Sequence, residues 1–104
     1  MFEINNEIWR IKFSNPTNSI FLMFDGSYTH GVCDNKTKTI YLADNLHGYL
    51  LKKVLCHEIV HAAMFSYDVK LNYDEEELLA DLIATYGEEI INVTNKVFKK
   101  LQQI

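Results

Sequence analysis

The sequence predicts an α+β fold in which a small antiparallel sheet of about four strands is followed by three helices. Up to Ala43, short runs of alternating or β-branched apolar residues are separated by turn signals, which is typical of strands. From about Asn45 the apolar residues recur at three- and four-residue spacing, which indicates helices. The 104 residues, 48% of them hydrophobic, predict one domain, residues 1–104, around one core.

Four strands are predicted from the first part of the chain. The first alternates apolar and polar residues, so one of its faces is expected to be buried. The second ends at Asp25-Gly26, a pair suited to the positive φ angles of a tight hairpin turn. The fourth, TKTIYLA, is rich in β-branched and aromatic residues. We interpret these runs as an antiparallel meander over residues 7–13, 20–24, 28–33 and 37–43.

Three helices are predicted from the remaining residues. The first extends from about Asn45 to Phe65, and a polar and aromatic loop over residues 66–74 follows it. The second covers about residues 75–86 and is expected to end at Gly87. The third has lysines near its C-terminus, where they suit the helix dipole, and its apolar face carries Ile90, Ile91, Thr94, Val97, Phe98 and Leu101.

Charge and hydropathy exclude several classes of partner. A formal net charge of -4 argues against binding to a phosphate backbone, which requires clustered Lys and Arg. The N-terminus has glutamates where a secretory signal has lysines, and the longest apolar run, Ile20 to Phe24, is far shorter than the roughly 20 residues of a membrane span. Cys33 and Cys56 lack CxxC spacing and are expected to be free thiols. These features predict a cytoplasmic protein with no nucleic-acid or membrane partner, and they leave the oligomeric state open.

The stretch CHEIVHAAMF, residues 56–65, has the spacing of a metal site. On a helix, His57 and His61 lie one turn apart on the same face and can direct their imidazoles at one point. Two neutral imidazoles suit Zn²⁺ but leave its coordination incomplete. Glu58 is rotated by about 100° from His57 and flanks the metal, which is the position of a general base acting on metal-activated water.

The predicted second helix offers a further ligand in the segment EEELLAD, residues 75–81. Glu77 and Asp81 are four positions apart, so Glu77 can complete the coordination while Asp81 accepts the free N–H of a liganding imidazole. Glu75 and Glu76 are expected to point elsewhere, because they have no polar residue four positions later.

Other roles for these acidic residues are also open. If Asp74 is the N-cap, Glu77 occupies the N3 position of a capping box; if Asn72 is the N-cap, Glu75 takes that position and Glu77 is free. Asp81 is the alternative third ligand.

The segment HEIVH followed by ELLAD resembles the gluzincin pattern of zinc peptidases, HExxH on one helix and ExxA(D/N) on the next. Within that group the chain is most similar to the ImmA/IrrE-type peptidases and, in size, to the minigluzincins. The likeness covers roughly residues 28–90 and implies a zincin-like fold. It also implies a zinc ion on His57, His61 and Glu77, with Glu58 as general base and Asp81 orienting His57.

The resemblance implies a zinc metalloendopeptidase that acts on a protein or peptide substrate, with a regulator protein of a phage or mobile element as one candidate. It further implies an edge strand that pairs with an extended substrate and consists of Thr39, Ile40, Tyr41 and Leu42. Tyr67, Tyr73 and Tyr86 are the candidates for oxyanion stabilisation. The alternatives are a non-catalytic domain in which zinc stabilises a protein-binding fold, and a metal-free interaction module.

Overall fold

The computed structural model describes residues 1–103 and shows an α+β chain with a four-stranded mixed sheet and two helices. The strands are β1 (Phe2–Ile4), β2 (Glu7–Ser14), β3 (Gly31–Asp34) and β4 (Thr39–Ala43). The helices are α1 (Gly48–Ser66) and α2 (Tyr73–Leu101). In the described residues, neither helix is long and apolar enough to cross a membrane.

The sheet is mixed, so the predicted antiparallel meander is wrong. Its strand order is β1-β2-β4-β3, with β2 and β4 parallel and the other two pairs antiparallel. Strand β1 was not predicted; it pairs with β2 through a turn at Asn5 and Asn6, both of which have positive φ. Because β3 and β4 form a hairpin that returns beside β2, the chain must cross from β2 to the far edge of the sheet over residues 15–30.

This crossing contains the predicted strand at residues 20–24, which the structure does not form. Ser19–Phe21 is a short 3-10 helix, capped by the Asn18 side chain, which accepts from the Ile20 backbone N–H. The apolar run reflects burial of Phe21 in the core rather than strand pairing. The predicted turn at Asp25-Gly26 is present, with Gly26 at φ 86°. Beyond the turn, the strand expected over residues 28–33 begins only at Gly31.

Strand β4 is central, so the prediction that Thr39 to Leu42 forms an edge strand is wrong. It is hydrogen-bonded to β2 on one side and to β3 on the other. Four of its five residues are buried, including both Ile40 and Leu42. A run of apolar residues with little polar alternation is typical of a strand covered on both faces, and TIYLA has that pattern. The terminal strand on this side of the sheet is β3.

The core lies between the sheet and α1. It includes the fully buried Trp9 and Phe21 together with apolar residues of β4 and α1. The Trp9 indole N–H donates a buried 2.8 Å hydrogen bond to the Ser66 hydroxyl, which joins β2 to the end of α1. The side chains that α1 does not direct at the sheet are therefore available to α2.

The predicted second and third helices form one continuous helix, α2. The prediction of three helices is therefore wrong, and the structure has two. Gly87 lies inside α2 and not at its end. Glycine ends a helix by adopting positive φ, and the two glycines with positive φ here are Gly26 and Gly48. Residues on both sides of Gly87 keep the helical hydrogen-bond pattern, so one unfavourable residue does not interrupt α2.

Candidate metal centre

The site lies between α1 and α2, which run antiparallel and are joined by residues 67–72. A capping box fixes the start of α2: the Asn72 side chain accepts from the Glu75 N–H, and the Glu75 carboxylate accepts from the Asn72 N–H. Asn72 is therefore the N-cap, and Glu77 is free of a capping role. Ala80 is fully buried, and its small side chain lets the two helices approach closely.

Three of the predicted ligands come together. The Nε2 atoms of His57 and His61 are 3.1 Å apart. The Glu77 carboxylate lies 3.3 Å from the first of these atoms and 2.8 Å from the second. Donor atoms around a tetrahedral zinc ion are separated by about 3.3 Å, as follows from bonds of about 2.0 Å. Two imidazoles and one carboxylate at this spacing fit a zinc ion and leave a fourth position for water or substrate.

The other ring nitrogens of both histidines face carboxylates of α2. Asp81 Oδ1 lies 2.9 Å from His57 Nδ1, the ring nitrogen that faces away from the Nε2 cluster, so its position is the one expected for a residue that orients this ring. Glu76 Oε2 lies 3.6 Å from His61 Nδ1. The expectation that Glu76 points elsewhere is wrong, because its partner is on α1 and not four positions later on its own helix.

Glu58 is a buried carboxyl group beside these ligands, with only 6% of its surface exposed. Burial raises its pKa to about 7; the nearby imidazole of His57 opposes the shift, and the carboxylate of Glu77 adds to it. A carboxyl group with a pKa near neutrality can both accept and return a proton at physiological pH. The electrostatic setting therefore suits general-base chemistry.

Gly31 of β3 makes room for Glu58. A Cβ atom at this position would lie 3.0 Å from Cγ of Glu58 and 3.0 Å from Cγ1 of Val54. Contacts this short are tighter than most that real Cβ atoms make, so a side chain here would require Glu58 and Val54 to shift by a few tenths of an ångström. Sequence reasoning did not assign Gly31 to the site, although a glycine within a strand is a signal of close approach.

A cleft surrounds the metal-site residues and is bounded by the edge of β3. A cavity of about 280 Å³ lies toward Leu50 and Lys53, and one of about 320 Å³ lies toward Met23 and Phe65. Both are lined by the same central residues, namely Thr29, Gly31, His57, Glu58 and Glu77. The candidate ligands and Glu58 are therefore accessible from two sides along the sheet edge.

The thiol of Cys33 lines the second cavity but is not suited to bind metal as a thiolate. Burial raises its pKa to about 12, and the carboxylates of Glu58, Glu76 and Asp34 add to the shift. Thiolate is the form that binds metals and attacks electrophiles, so Cys33 is held in its unreactive form. Both cysteines are free, as predicted.

Of the three tyrosines considered for oxyanion stabilisation, Tyr73 lines the second cavity. Tyr67 and Tyr86 do not line either of the two cavities around the site. Of these three tyrosines, the first residue of α2 is therefore the one that faces the cleft.

Comparison with known proteins identifies no relative: no family model, curated protein or solved structure matches the chain. What the site can do is therefore inferred from its own donor atoms and their surroundings.

Proposed function

We propose that the chain is a zinc-dependent metallopeptidase of the gluzincin type, with His57, His61 and Glu77 as zinc ligands and Glu58 as general base. One observation carries the proposal. Two imidazole Nε2 atoms and the Glu77 carboxylate converge from two helices, with separations of 2.8 to 3.3 Å, and a buried carboxyl group whose pKa is about 7 lies beside them. The HExxH and ExxAD motifs and their resemblance to the ImmA/IrrE type agree with this assignment.

Each residue of the site has a separate role in the proposed reaction. When bound, zinc would polarise the substrate carbonyl and lower the pKa of water in its open position. Glu58 accepts a proton from the attacking water and returns it to the departing amine. Asp81 accepts the Nδ1–H of His57 and thereby keeps the Nε2 lone pair of that ring directed at the ligand position.

The substrate is proposed to bind as an extended peptide along β3. This strand is terminal in the sheet, and Gly31, Val32 and Cys33 line the cleft. An exposed strand edge pairs with extended peptides through main-chain hydrogen bonds. The proposed recognition edge is therefore β3, and the side chains on either side of the cleaved bond would enter the two cavities.

Zinc analysis of purified protein tests the metal site. Wild-type protein is expected to hold about one zinc ion per chain, and His57→Ala should hold almost none. His47→Ala is the matched control, since His47 is exposed at the start of α1 and lies outside both cavities. Equal zinc in the two variants would remove the proposal.

Cleavage assays separate the peptidase from a non-catalytic zinc domain. Wild-type protein and Glu58→Gln are incubated with a proteome, and new N-termini are sequenced. Glu58→Gln is expected to keep its zinc and produce no new termini, because the amide cannot accept the proton. Identical termini from both proteins would exclude Glu58 as the base, and no termini from either would favour the non-catalytic alternative. Regulator proteins of phages and mobile elements are the first substrates to examine, because the resemblance suggests them.

A further inference from the structure

The apolar run over residues 20–24 is buried only at its start. Phe21 lies in the core and Ile20 packs against it. Met23 is 43% exposed, and Phe24 is fully exposed. Exposed apolar side chains are ordinary when they are scattered, but a contiguous group of them marks a binding surface. The core therefore accounts for the start of the run, and its end requires another explanation.

The end of the run belongs to a turn over residues 22–28 that is held by its own hydrogen bonds. The Met23 N–H donates to the Ser27 carbonyl at 2.8 Å, and the Gly26 N–H donates to the Met23 carbonyl at 3.1 Å. The Asp25 carboxylate accepts from the N–H of Ser27 at 2.9 Å and from its hydroxyl at 2.6 Å. An ordered turn holds its side chains in place before a ligand arrives, which reduces the entropy lost on binding.

This turn borders the cleft that contains the metal-site residues. Met23 lines the second cavity together with Phe65 of α1 and Tyr73 of α2. These three side chains are between 41% and 67% exposed. Glu58 and His61 line the same cavity. A substrate whose reacting bond lies beside Glu58 therefore places a neighbouring side chain against Met23, Phe65 and Tyr73.

The apolar wall continues beyond this cavity. An adjoining hollow of about 740 Å³ is lined by Leu22, Met23, Phe24 and Tyr73. Met23 and Tyr73 border both spaces, so the cavity widens into the hollow. The cavity can therefore accept a side chain larger than that of alanine.

The cavity on the other side of the metal-site residues has a different lining. Beyond the residues that the two cavities share, it is bordered by His30, Lys53 and Asp81, among others. These polar and charged groups do not select an apolar side chain. The two sides of the cleft therefore differ in chemistry, and only the side that the turn borders is largely apolar.

We propose that the second cavity is a subsite for a large apolar side chain of the substrate, such as Phe, Leu or Met, and that Met23 determines this specificity. The inference rests on the proposed peptidase function. An apolar side chain bound here leaves water together with the apolar surface that lines the cavity, which favours binding. A carboxylate would instead be repelled by Glu76 and Glu77, which line the same cavity.

Cleavage of a synthetic random peptide library tests the subsite. Zinc-loaded wild-type protein should favour Phe, Leu and Met over Ala by about 10-fold or more at one position beside the cleaved bond. Met23→Asp should move the preference at that position to Lys and Arg, because it places a carboxylate in the cavity. The matched control is Tyr28→Asp, in the same turn but outside both cavities and the hollow, and it should keep the wild-type preference.

The fold of each variant is checked by circular dichroism. The hydrogen bonds of the turn use only the backbone of Met23, so they are retained in Met23→Asp. A folded Met23→Asp that keeps the wild-type preference would overturn the role of Met23. Cleavage by wild-type protein with no apolar preference at any position would overturn the subsite and leave the peptidase proposal intact.

Peptide capture separates the subsite from the activity. Immobilised Glu58→Gln protein, loaded with zinc, is expected to bind peptides of the same library without cleaving them. The captured peptides should be enriched in large apolar residues, and adding Met23→Asp should replace them with peptides rich in Lys and Arg. This shift without cleavage by wild-type protein would support the subsite and remove the peptidase proposal. Captured peptides with the same composition in both variants would overturn the subsite.

Discussion

The two halves of α2 differ in the side chains that they present. The N-terminal half directs carboxylates at α1, and the C-terminal half exposes large apolar side chains to water. In the N-terminal half, residues 73–87, Glu76, Glu77 and Asp81 face the histidines of α1. In the C-terminal half, residues 88–101, the large apolar side chains are exposed to water. Along a single helix, the carboxylates of Glu76 and Glu77 are thus partly buried, whereas the large apolar side chains of the C-terminal half are exposed. Carboxylates grouped beside imidazoles are costly unless a cation lies between them, and a row of exposed apolar side chains is costly in water.

The largest expected effect comes from changing the carboxylate that completes the ligand set. Glu77→Gln should weaken zinc binding on the order of 1000-fold, because a neutral amide replaces an anionic ligand. Glu76→Gln is the matched control, since it changes the adjacent carboxylate, which lies beside the outer nitrogen of His61. Competition with a chromophoric chelator measures both affinities. Equal losses in the two variants would show that the N-terminal half contributes general negative charge and not a ligand.

A pH effect follows from the pKa of Glu58 in metal-free protein. Folding raises this pKa from 4.5 to about 7, so the folded state binds the proton more tightly than the unfolded state. The resulting stabilisation is fully present below the unfolded value and is lost as the pH rises through about 7. At pH 8, in EDTA, Glu58→Gln should therefore be more stable than wild type by up to about 3 kcal/mol, and the difference should shrink toward pH 4.5. Urea denaturation at both pH values measures it, and a difference independent of pH would contradict the burial of this carboxyl group.

A smaller effect is expected at Asp81. Asp81→Asn keeps the size of the side chain but weakens the bond to His57 Nδ1, and it should reduce zinc affinity by about 10- to 100-fold. The same chelator competition applies. Asp74→Asn, also in the acidic first part of α2, is the control and should have little effect. If Asp81→Asn loses as much zinc as Glu77→Gln, Asp81 would be the third ligand instead.

The smallest effect is expected at the boundary between the two halves. The Lys52–Glu88 pair is exposed on both sides, so Lys52→Ala should change the free energy of unfolding by less than about 1 kcal/mol. Chemical denaturation of the zinc-loaded protein measures this change. A larger loss would mean that this ion pair holds the C-terminal half of α2 against α1.

The local geometry of the site could be predicted from the sequence, since it depends on helical spacing alone. His57, Glu58 and His61 have the relation that residues i, i+1 and i+4 have on any helix, and Glu77 and Asp81 repeat it. The sequence also offered two candidates for the N-cap of α2, Asn72 and Asp74. The structure shows that the N-cap is Asn72.

Contacts between distant segments could not be predicted in this way. The parallel pairing of β2 with β4 depends on the path of residues 15–30, which has no local signature. The fit of Gly31 against Glu58 joins a strand to a helix, and each segment alone allows other residues. The prediction that the helix ends at Gly87 rested on a local rule. It failed because the favourable neighbours that sustain α2 outweigh one unfavourable residue.

The connection over residues 67–72 has a consequence for folding. All the candidate ligands belong to one helical hairpin, so bringing them together closes a short loop and costs little chain entropy. The β2–β4 pairing joins segments that are further apart, and contacts of that kind form slowly. We expect the ion to associate with the hairpin while the sheet is still unformed, so that refolding becomes faster as the concentration of free zinc is raised.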